Sequence, residues 1–292
     1  MELVFRIVGI ITPVLLISAI GYAYGRVRRP DMTWINHLNV ELLFPLLIFS
    51  AMSSRGFHIL DFLPLILGGA CIILGSGLIA WIAARLLGYN PHAFLPPLMF
   101  TNTANMGLPL TLFAFGQEML PAAVALFMVF SLFHLTLGIR IFDPKARLSG
   151  ILKGPMLIAM VVGVIMSVLG YSLPDWLALS VKMLGETAIP LGLFTLGVGF
   201  ARFRVERWSI GIVGAILCPV SGLLIAWPLV KLLPLSAPMQ GVLWLYAALP
   251  PAVMNYIFAE KYKQDPSLVA AVVVGGNIAS LFFIPLALYL AL

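Results

Sequence analysis

Long apolar runs, separated by short polar connections, make up almost the whole chain. A transmembrane helix needs about 20 mostly apolar residues, and ten segments reach that length. They cover residues 3–25, 35–53, 60–84, 93–116, 119–140, 151–171, 176–200, 208–231, 238–259 and 267–291. The connections leave no room for a folded domain, so the pattern predicts an all-α integral membrane protein with ten transmembrane helices.

Composition and charge support this prediction and exclude other classes of protein. Of the 292 residues, 62% are hydrophobic and 10% are charged, whereas about 25% are charged in soluble domains, so a soluble enzyme is excluded. The net charge of +6 comes from basic residues in short loops, which build no groove for nucleic acid. Cys71 and Cys218 lie in apolar runs, and we expect both to be buried, without a disulfide or a metal.

The placement of lysine and arginine predicts the orientation. The first apolar segment has no small-residue cleavage site, which indicates a retained helix rather than a signal peptide. If ten helices alternate in direction, thirteen of the 17 basic residues fall on one side. The other four are Arg6, Arg55, Lys182 and Lys231. Because cytoplasmic loops are enriched in lysine and arginine, we expect a multi-pass protein of the inner (plasma) membrane with both termini outside.

The two halves of the chain share spaced residues in the same order. The second and seventh segments, 145 residues apart, contain Glu41-x-x-x-Pro45-Leu46-x-x-Phe49 and Glu186-x-x-x-Pro190-Leu191-x-x-Phe194. A tryptophan followed by a base recurs in the third and eighth segments as Trp81 with Arg85 and Trp227 with Lys231. We therefore predict two repeats, 1–141 and 151–292, joined by a short linker at 142–150. Since each has five helices, their orientations are opposite, as is typical of secondary transporters.

Polar and helix-breaking residues interrupt the fourth and ninth segments. The predicted breaks are at Pro109, Pro250 and Pro251, because proline removes a backbone hydrogen bond. The helix ends created there have free N–H groups that favour anions. The candidate substrate-binding residues are Asn102, Thr103, Asn105, Gly107 and Asn255. The alternative is that such residues only mediate helix packing, as is common in membranes.

Four residues within apolar segments are candidates for coupling transport to a cation or proton: Glu41, Glu186, His134 and Asn277. Ionisable groups are rare in lipid and usually face a cavity or a partner. His37 and Lys182 precede Glu41 and Glu186 by four residues, so each pair shares a helical face. The carboxylates either bind Na⁺ or a proton or form structural ion pairs, while His134 and Asn277 have the alternative of bonding a neighbouring helix. We expect no other cofactor and no catalytic or metal-binding residues.

Two motifs are similar to those of a known family. Asn102-Thr103-x-x-Met106-Gly107-x-Pro109-Leu110 and Phe258-Ala259-Glu260-Lys261-Tyr262 resemble stretches of the auxin efflux carrier family, which contains plant PIN-FORMED carriers and bacterial malate or malonate permeases. The resemblance implies ten helices, external termini, a scaffold bundle, and a transport bundle where broken helices four and nine cross. It also implies that Asn102 and the adjacent helix ends hold a substrate carboxylate. The long cytoplasmic loop of the plant members is missing here, and Asn255 has no assured counterpart in the family motif.

Together these patterns predict a secondary active transporter that moves a small organic anion by alternating access of the elevator type, coupled to Na⁺ or H⁺. An uncoupled uniporter or channel on the same scaffold is the alternative, and its flux would ignore imposed ion gradients. An intramembrane enzyme is disfavoured, since the sequence has no His-Glu-x-x-His, Gly-x-Ser-x-Gly or Gly-x-Gly-Asp motif. The expected partners are the organic anion and the lipid bilayer, with no nucleic acid, and a homodimer is left open.

Overall fold

The computed structural model describes residues 1–54, 57–146, 154–203 and 205–292. Counting contiguous helical turns as one helix, these residues form α1 (Glu2–Arg28), α2 (Thr33–Met52), α3 (Ile59–Leu87), α4 (Pro91–Met99), α5 (Thr103–Phe115), α6 (Gln117–Phe142), α7 (Pro155–Leu169), α8 (Asp175–Phe200), α9 (Trp208–Leu232), α10 (Ala237–Ala247), α11 (Met254–Lys261) and α12 (Pro266–Ala291). The described residues contain no strand. Part of the predicted linker, and Arg55, Arg147, Lys153 and Arg204 of the charge count, lie outside them.

Within the described ranges, seven helices are long and apolar enough to cross a membrane: α1, α2, α3, α6, α8, α9 and α12. The prediction of an all-α, multi-pass membrane protein is therefore confirmed. The sixth predicted segment is shorter than expected, because α7 has 15 residues and ends at Gly170, whose φ of 68° is left-handed. The fourth and ninth predicted segments each divide in two, as α4 with α5 and α10 with α11.

The helices pack into two groups. The four-helix bundle consists of α1, α2, α7 and α8, in which α1 lies along α8 and α2 contacts both α7 and α8. The crossing bundle consists of the other eight helices, with α9 packed against α3, α10 and α12. The two bundles touch chiefly where α5 meets α1 and α8. The interrupted helices therefore belong to one bundle, and one of them, α5, contacts the other bundle.

Glycine brings helices together in both bundles. A Cβ on Gly197 of α8 would lie 1.9 Å from the carbonyl oxygen of Ser18 in α1. A Cβ on Gly222 of α9 would lie 2.1 Å from the carbonyl oxygen of Ala247 in α10. Small residues permit such backbone contact, which drives helix association in lipid where the hydrophobic effect does not.

Three helices contain a π-helical turn, in which one extra residue widens the helix. The turns are Asn39–Leu43 in α2, Thr103–Gly107 at the start of α5, and His134–Gly138 in α6. Such turns occur often at functional sites. Each of the three carries at least one of the polar residues considered below.

The two cysteines differ in environment. Cys218 is buried in α9, whereas Cys71 is exposed on α3. The prediction that Cys71 is buried is wrong, because an apolar run in a membrane helix includes the side that faces lipid as well as the side that faces protein. Many large apolar side chains are exposed for the same reason, including Leu74 and Leu78 on α3.

Candidate functional site

The interruption between α4 and α5 lies against the interruption between α10 and α11. The Asn102 N–H donates to the carbonyl oxygen of Pro250 at 2.7 Å, and the Ala252 N–H donates to that of Phe100 at 3.1 Å. The two segments thus form an isolated antiparallel bridge. We call residues 100–102 and 248–253 the helix crossing. Backbone N–H and carbonyl groups of its two segments hydrogen-bond each other, as non-helical backbone at membrane depth requires.

Proline explains one of the two interruptions. Pro250 and Pro251 lie inside the second one and have no N–H with which to continue α10. Pro109 does not lie in the first one, because α4 ends at Met99 and the backbone is helical again from Thr103. Pro109 lies inside α5, two residues after its π-helical turn, and has no N–H to bond the carbonyl four residues earlier. The interruption itself lies at residues 100–102, and a role of Pro109 in shaping the adjacent π-helical turn stays a prediction.

Two asparagine side chains hold carbonyl groups of the helix crossing. Asn255 Nδ2 donates to the carbonyl oxygens of Phe100 and Ala252, both at 2.9 Å. Asn277 Nδ2 donates to the Pro251 carbonyl oxygen at 3.2 Å and to a carbonyl of its own helix at 2.8 Å. Because carbonyl oxygens only accept hydrogen bonds, these bonds fix which way each amide points.

Four buried polar atoms at the helix crossing have no hydrogen-bond partner within the described residues. They are Thr101 Oγ1, Asn102 Nδ2, Asn255 Oδ1 and Asn277 Oδ1. Leaving such an atom unpaired costs about 1–3 kcal/mol, and native proteins usually pair it with protein, ligand, ion or water. The amide nitrogen can donate to a carboxylate, and the two amide oxygens can accept from a donor or coordinate a cation. The set therefore includes donors that suit an anion and acceptors that suit a cation.

His134 lies beside the helix crossing. Its ring stacks on Phe100 with centroids 4.5 Å apart and an interplanar angle of 6°, and it meets the Phe258 ring edge at 5.2 Å. The side chain is buried, and Nε2 has no partner among the described residues. Asn255 is its polar neighbour. The structure thus brings His134 and Asn277, which the sequence predicted for coupling, to Asn102 and Asn255, predicted for substrate binding.

The other three predicted substrate-binding residues lie on the π-helical turn of α5 and contact different neighbours. Thr103 is buried at the first position of the turn. Asn105 Oδ1 lies 2.5 Å from the position that a Cβ on Gly192 of α8 would take, so Asn105 faces the four-helix bundle. A Cβ on Gly107 would lie 2.8 Å from the Tyr246 ring. Gly107 therefore provides space for helix packing.

Asn39 is a further buried amide, which the sequence pattern did not single out. It begins the π-helical turn of α2, is 3% exposed, and has an unpaired Oδ1 among the described residues. Its Nδ2 lies 3.7 Å from the Cβ position of Gly192, the glycine that Asn105 also approaches. The two amides therefore approach each other where the bundles meet. The available signal was an amide within an apolar segment, two residues before Glu41.

The two predicted carboxylates lie on the four-helix bundle and each has a local partner. Glu41 Oε1 is 3.4 Å from His37 Nδ1, and the Glu41 side chain is 64% exposed. Glu186 Oε1 is 3.7 Å from Lys182 Nζ and accepts a hydrogen bond from Gln117 Nε2 at 3.2 Å. These contacts match the structural alternative of a local ion pair. Glu41 lies within the long apolar helix α2, as predicted, on a side of the helix that the rest of the protein does not cover.

Glu41 lines an open groove at the start of α2. The groove has a volume of about 520 Å³ and is also lined by Asp31, Thr33 and His37. Asp31 Oδ1 accepts hydrogen bonds from the Thr33 hydroxyl at 2.6 Å and the Thr33 N–H at 2.9 Å. These bonds favour the charged carboxylate and lower the pKa of Asp31. The groove is thus acidic, and it is formed by the four-helix bundle rather than by the helix crossing.

Comparison with known proteins finds similarity to transporters. The family described as membrane transport protein matches residues 145–288. An uncharacterized transporter from Methanocaldococcus jannaschii is 26% identical over 286 residues, covering 88% of this chain and 90% of the relative. Both matches support a transporter. The resemblance to the auxin efflux carrier family is thereby confirmed. The part of this chain that matches the family includes Asn255, Asn277 and both prolines of the helix crossing.

Proposed function

We propose that this protein is a secondary active transporter that moves a small organic anion across the inner membrane. The observation that carries the proposal is the set of unpaired polar atoms at the helix crossing. Asn102 Nδ2 and the Thr101 hydroxyl can donate to a carboxylate. The N-termini of α5 and α11 add free N–H groups and a partial positive charge. A small carboxylate therefore fits this site better than a cation or a neutral apolar molecule.

The proposed architecture is ten membrane segments in two inverted repeats, 1–141 and 151–292, with both termini outside. Matched helices in the two halves make matched contacts, since α1 packs on α8 as α7 packs on α2. Matched side chains do so too. Arg85 lies 5.0 Å from the centroid of the Trp81 ring, and Lys231 lies 4.5 Å from that of Trp227. Inverted repeats of this kind place a binding site near the membrane midplane, at the junction of the halves.

Alternating access of the elevator type requires one part that moves and one part that stays fixed, and the two bundles can serve as these parts. The helix crossing is held together inside one bundle by main-chain and amide hydrogen bonds. The contact with the four-helix bundle runs through α5, where Asn105 lies against Gly192 of α8. We therefore infer an elevator-type movement, in which the crossing bundle carries the anion and the four-helix bundle stays fixed in the membrane.

Coupling to Na⁺ or H⁺ is assigned to groups of two kinds. At the helix crossing, the unpaired oxygens of Asn255 and Asn277 suit Na⁺, and the unpaired nitrogen of His134 suits a proton. On the four-helix bundle, the candidates are Glu41 and Glu186. An uncoupled uniporter is the second candidate, and it is favoured by the fact that the polar groups found at the crossing among the described residues include no carboxylate. Imposed Na⁺ and pH gradients distinguish the two, because only a coupled carrier accumulates its substrate against a gradient.

The site is tested by uptake of radiolabelled malate and malonate into proteoliposomes. Asn102→Ala removes the unpaired donor, and we expect uptake to fall to the level of liposomes without protein. Asn36→Ala, on the exposed side of α2, is the matched control and should retain uptake. Thermal unfolding of both variants should resemble that of the unsubstituted protein. Full uptake by Asn102→Ala would show that the anion binds elsewhere.

A further inference from the structure

Three arginines surround a cavity at the ends of α1 and α8. The cavity has a volume of about 500 Å³, and its lining is Gly25, Arg26, Arg29, Ala201, Arg202 and Phe203. Its lining residues all belong to the four-helix bundle or to the turn that follows α8, and none of them belongs to the helix crossing. The proposed transport site makes no use of it.

The backbone around the cavity is held in a fixed shape. Gly25 allows α1 to approach α8, since a Cβ there would lie 3.0 Å from Val198 Cα. Arg29 ends α1 in a left-handed conformation, with φ of 48°, and its N–H donates to the Gly25 carbonyl oxygen at 3.1 Å. The Arg202 guanidinium donates to the carbonyl oxygen of Pro30. The arginines are therefore presented by ordered backbone on both helices.

The charge of the cavity is only partly balanced. Asp31 is close enough to Arg202 for their charges to interact, but it is also bonded by Thr33. Arg207, by contrast, forms a full ion pair with Asp265 at 2.6 Å. No described carboxylate lies in salt-bridge distance of Arg26 or Arg29. The cavity thus carries net positive charge and suits an anion with several acceptor oxygens.

Apolar surface adjoins the cavity. The exposed side of α1 includes Ile20, Tyr24 and Val27, which is 78% exposed. Only 17% of the apolar stretch of α1 is buried, the lowest share among the seven long helices. An acyl chain can lie along this side while a phosphate occupies the arginine cavity. The arginines also belong to the side of the membrane that the basic residues predict to be cytoplasmic, where basic pockets between helices bind anionic lipid headgroups.

We propose that the arginine cavity binds the phosphate of an anionic phospholipid, with the acyl chains along α1. The binding is measured with the whole protein in neutral detergent, by native mass spectrometry with phosphatidylglycerol and phosphatidylcholine of equal chain length. We expect phosphatidylglycerol to be retained preferentially. Because each arginine near an anionic lipid contributes about fivefold in affinity, the double variant Arg26→Gln/Arg29→Gln should bind phosphatidylglycerol roughly 25-fold more weakly.

The matched control is Arg28→Gln/Arg85→Gln, which removes the same charge from the same predicted side but not from the cavity. It should keep the preference for phosphatidylglycerol. Arg202→Lys retains the charge and should keep most of the binding. Equal retention of the two lipids by the unsubstituted protein, or equal losses in the two double variants, would overturn the proposal. If millimolar inorganic phosphate displaces the lipid from the unsubstituted protein, the site is a phosphate site whose ligand is not the lipid, and the lipid assignment is also overturned.

Discussion

The two bundles of this protein place their polar groups in opposite ways. In the crossing bundle, Asn255 and Asn277 are withdrawn from the surface and bond main-chain carbonyls. In the four-helix bundle, by contrast, two ionisable pairs lie at the surface: His37 with Glu41, and Lys182 with Glu186. A buried amide is costly unless paired, whereas a surface ion pair contributes little. The difference indicates that neutral amides contribute more to the stability of this fold than its charged side chains do.

The largest effect is expected at Asn255, which is fully buried. Asn255→Leu removes the side-chain donor from the carbonyl oxygens of Phe100 and Ala252, each of which keeps a main-chain N–H donor. We expect the free energy of unfolding to fall by about 1–3 kcal/mol, the net contribution of two hydrogen bonds. Unfolding by heat or denaturant in detergent measures the change. Asn36→Leu makes the same substitution at an exposed position of the four-helix bundle and should change stability by less than about 0.5 kcal/mol. Similar losses in both variants would remove the distinction between the bundles.

Substitution of glycine by alanine should have opposite signs in the two bundles. A Cβ on Gly107 meets the Tyr246 ring at 2.8 Å and Leu249 Cδ1 at 3.0 Å, so Gly107→Ala should destabilise by about 1–3 kcal/mol. A Cβ on Gly9 of α1 meets nothing within 4 Å. Gly9→Ala should therefore stabilise by up to about 1 kcal/mol, the difference in helix propensity. A shift of both melting temperatures in the same direction would contradict this pair of expectations.

Asn39 is the exception in the four-helix bundle, because it is a buried amide there. Asn39→Leu replaces an unpaired buried oxygen with an apolar group of similar size, and we expect a gain of about 1 kcal/mol in stability. If the amide serves transport, uptake should fall at the same time, since functional sites often reduce stability. Melting temperature and proteoliposome uptake are measured on the same preparation. Loss of stability would show that the Asn39 oxygen is paired in the folded protein.

The smallest effect is expected at the surface pairs. Lys182→Met removes the partner of Glu186, and His37→Gln removes the partner of Glu41, and each should change stability by less than about 1 kcal/mol. Because salt screens exposed charges, the effect should shrink further when the ionic strength rises. A large loss in either variant would place that charged pair among the groups that shape the fold.

The helices were predictable because apolar length alone specifies a membrane helix. The first and last segments were expected at 3–25 and 267–291, and the helices are Glu2–Arg28 and Pro266–Ala291. Asn102 and Asn255 could also be predicted from the sequence, since each is an amide in an apolar run within five residues of a glycine or proline, which is unusual. The second interruption followed from the chemistry of Pro250 and Pro251.

The first interruption could not be located from the sequence. It lies at residues 100–102, where there is no proline, and it depends on pairing with Pro250, which is far away along the chain. Whether Thr101 Oγ1 and Asn39 Oδ1 find hydrogen-bond partners also depends on neighbours from other helices. The exposure of Glu41 was missed for a different reason. Four-residue spacing identifies a shared face, but it does not say whether that face points into the protein or away from it.

The π-helical turn Asn39–Leu43 has a consequence for the whole of α2. One extra residue in a helix rotates everything beyond it by about 100°. The first part of α2, Thr33–Leu38, lines the acidic groove, while Phe44–Met52 packs against α7 and α8. The inserted residue therefore rotates the packing side of Phe44–Met52 relative to the side of Thr33–Leu38 that lines the groove. Deleting one residue from the turn would leave the sequence almost unchanged, yet it would swing the packing side of Phe44–Met52 away from its partners.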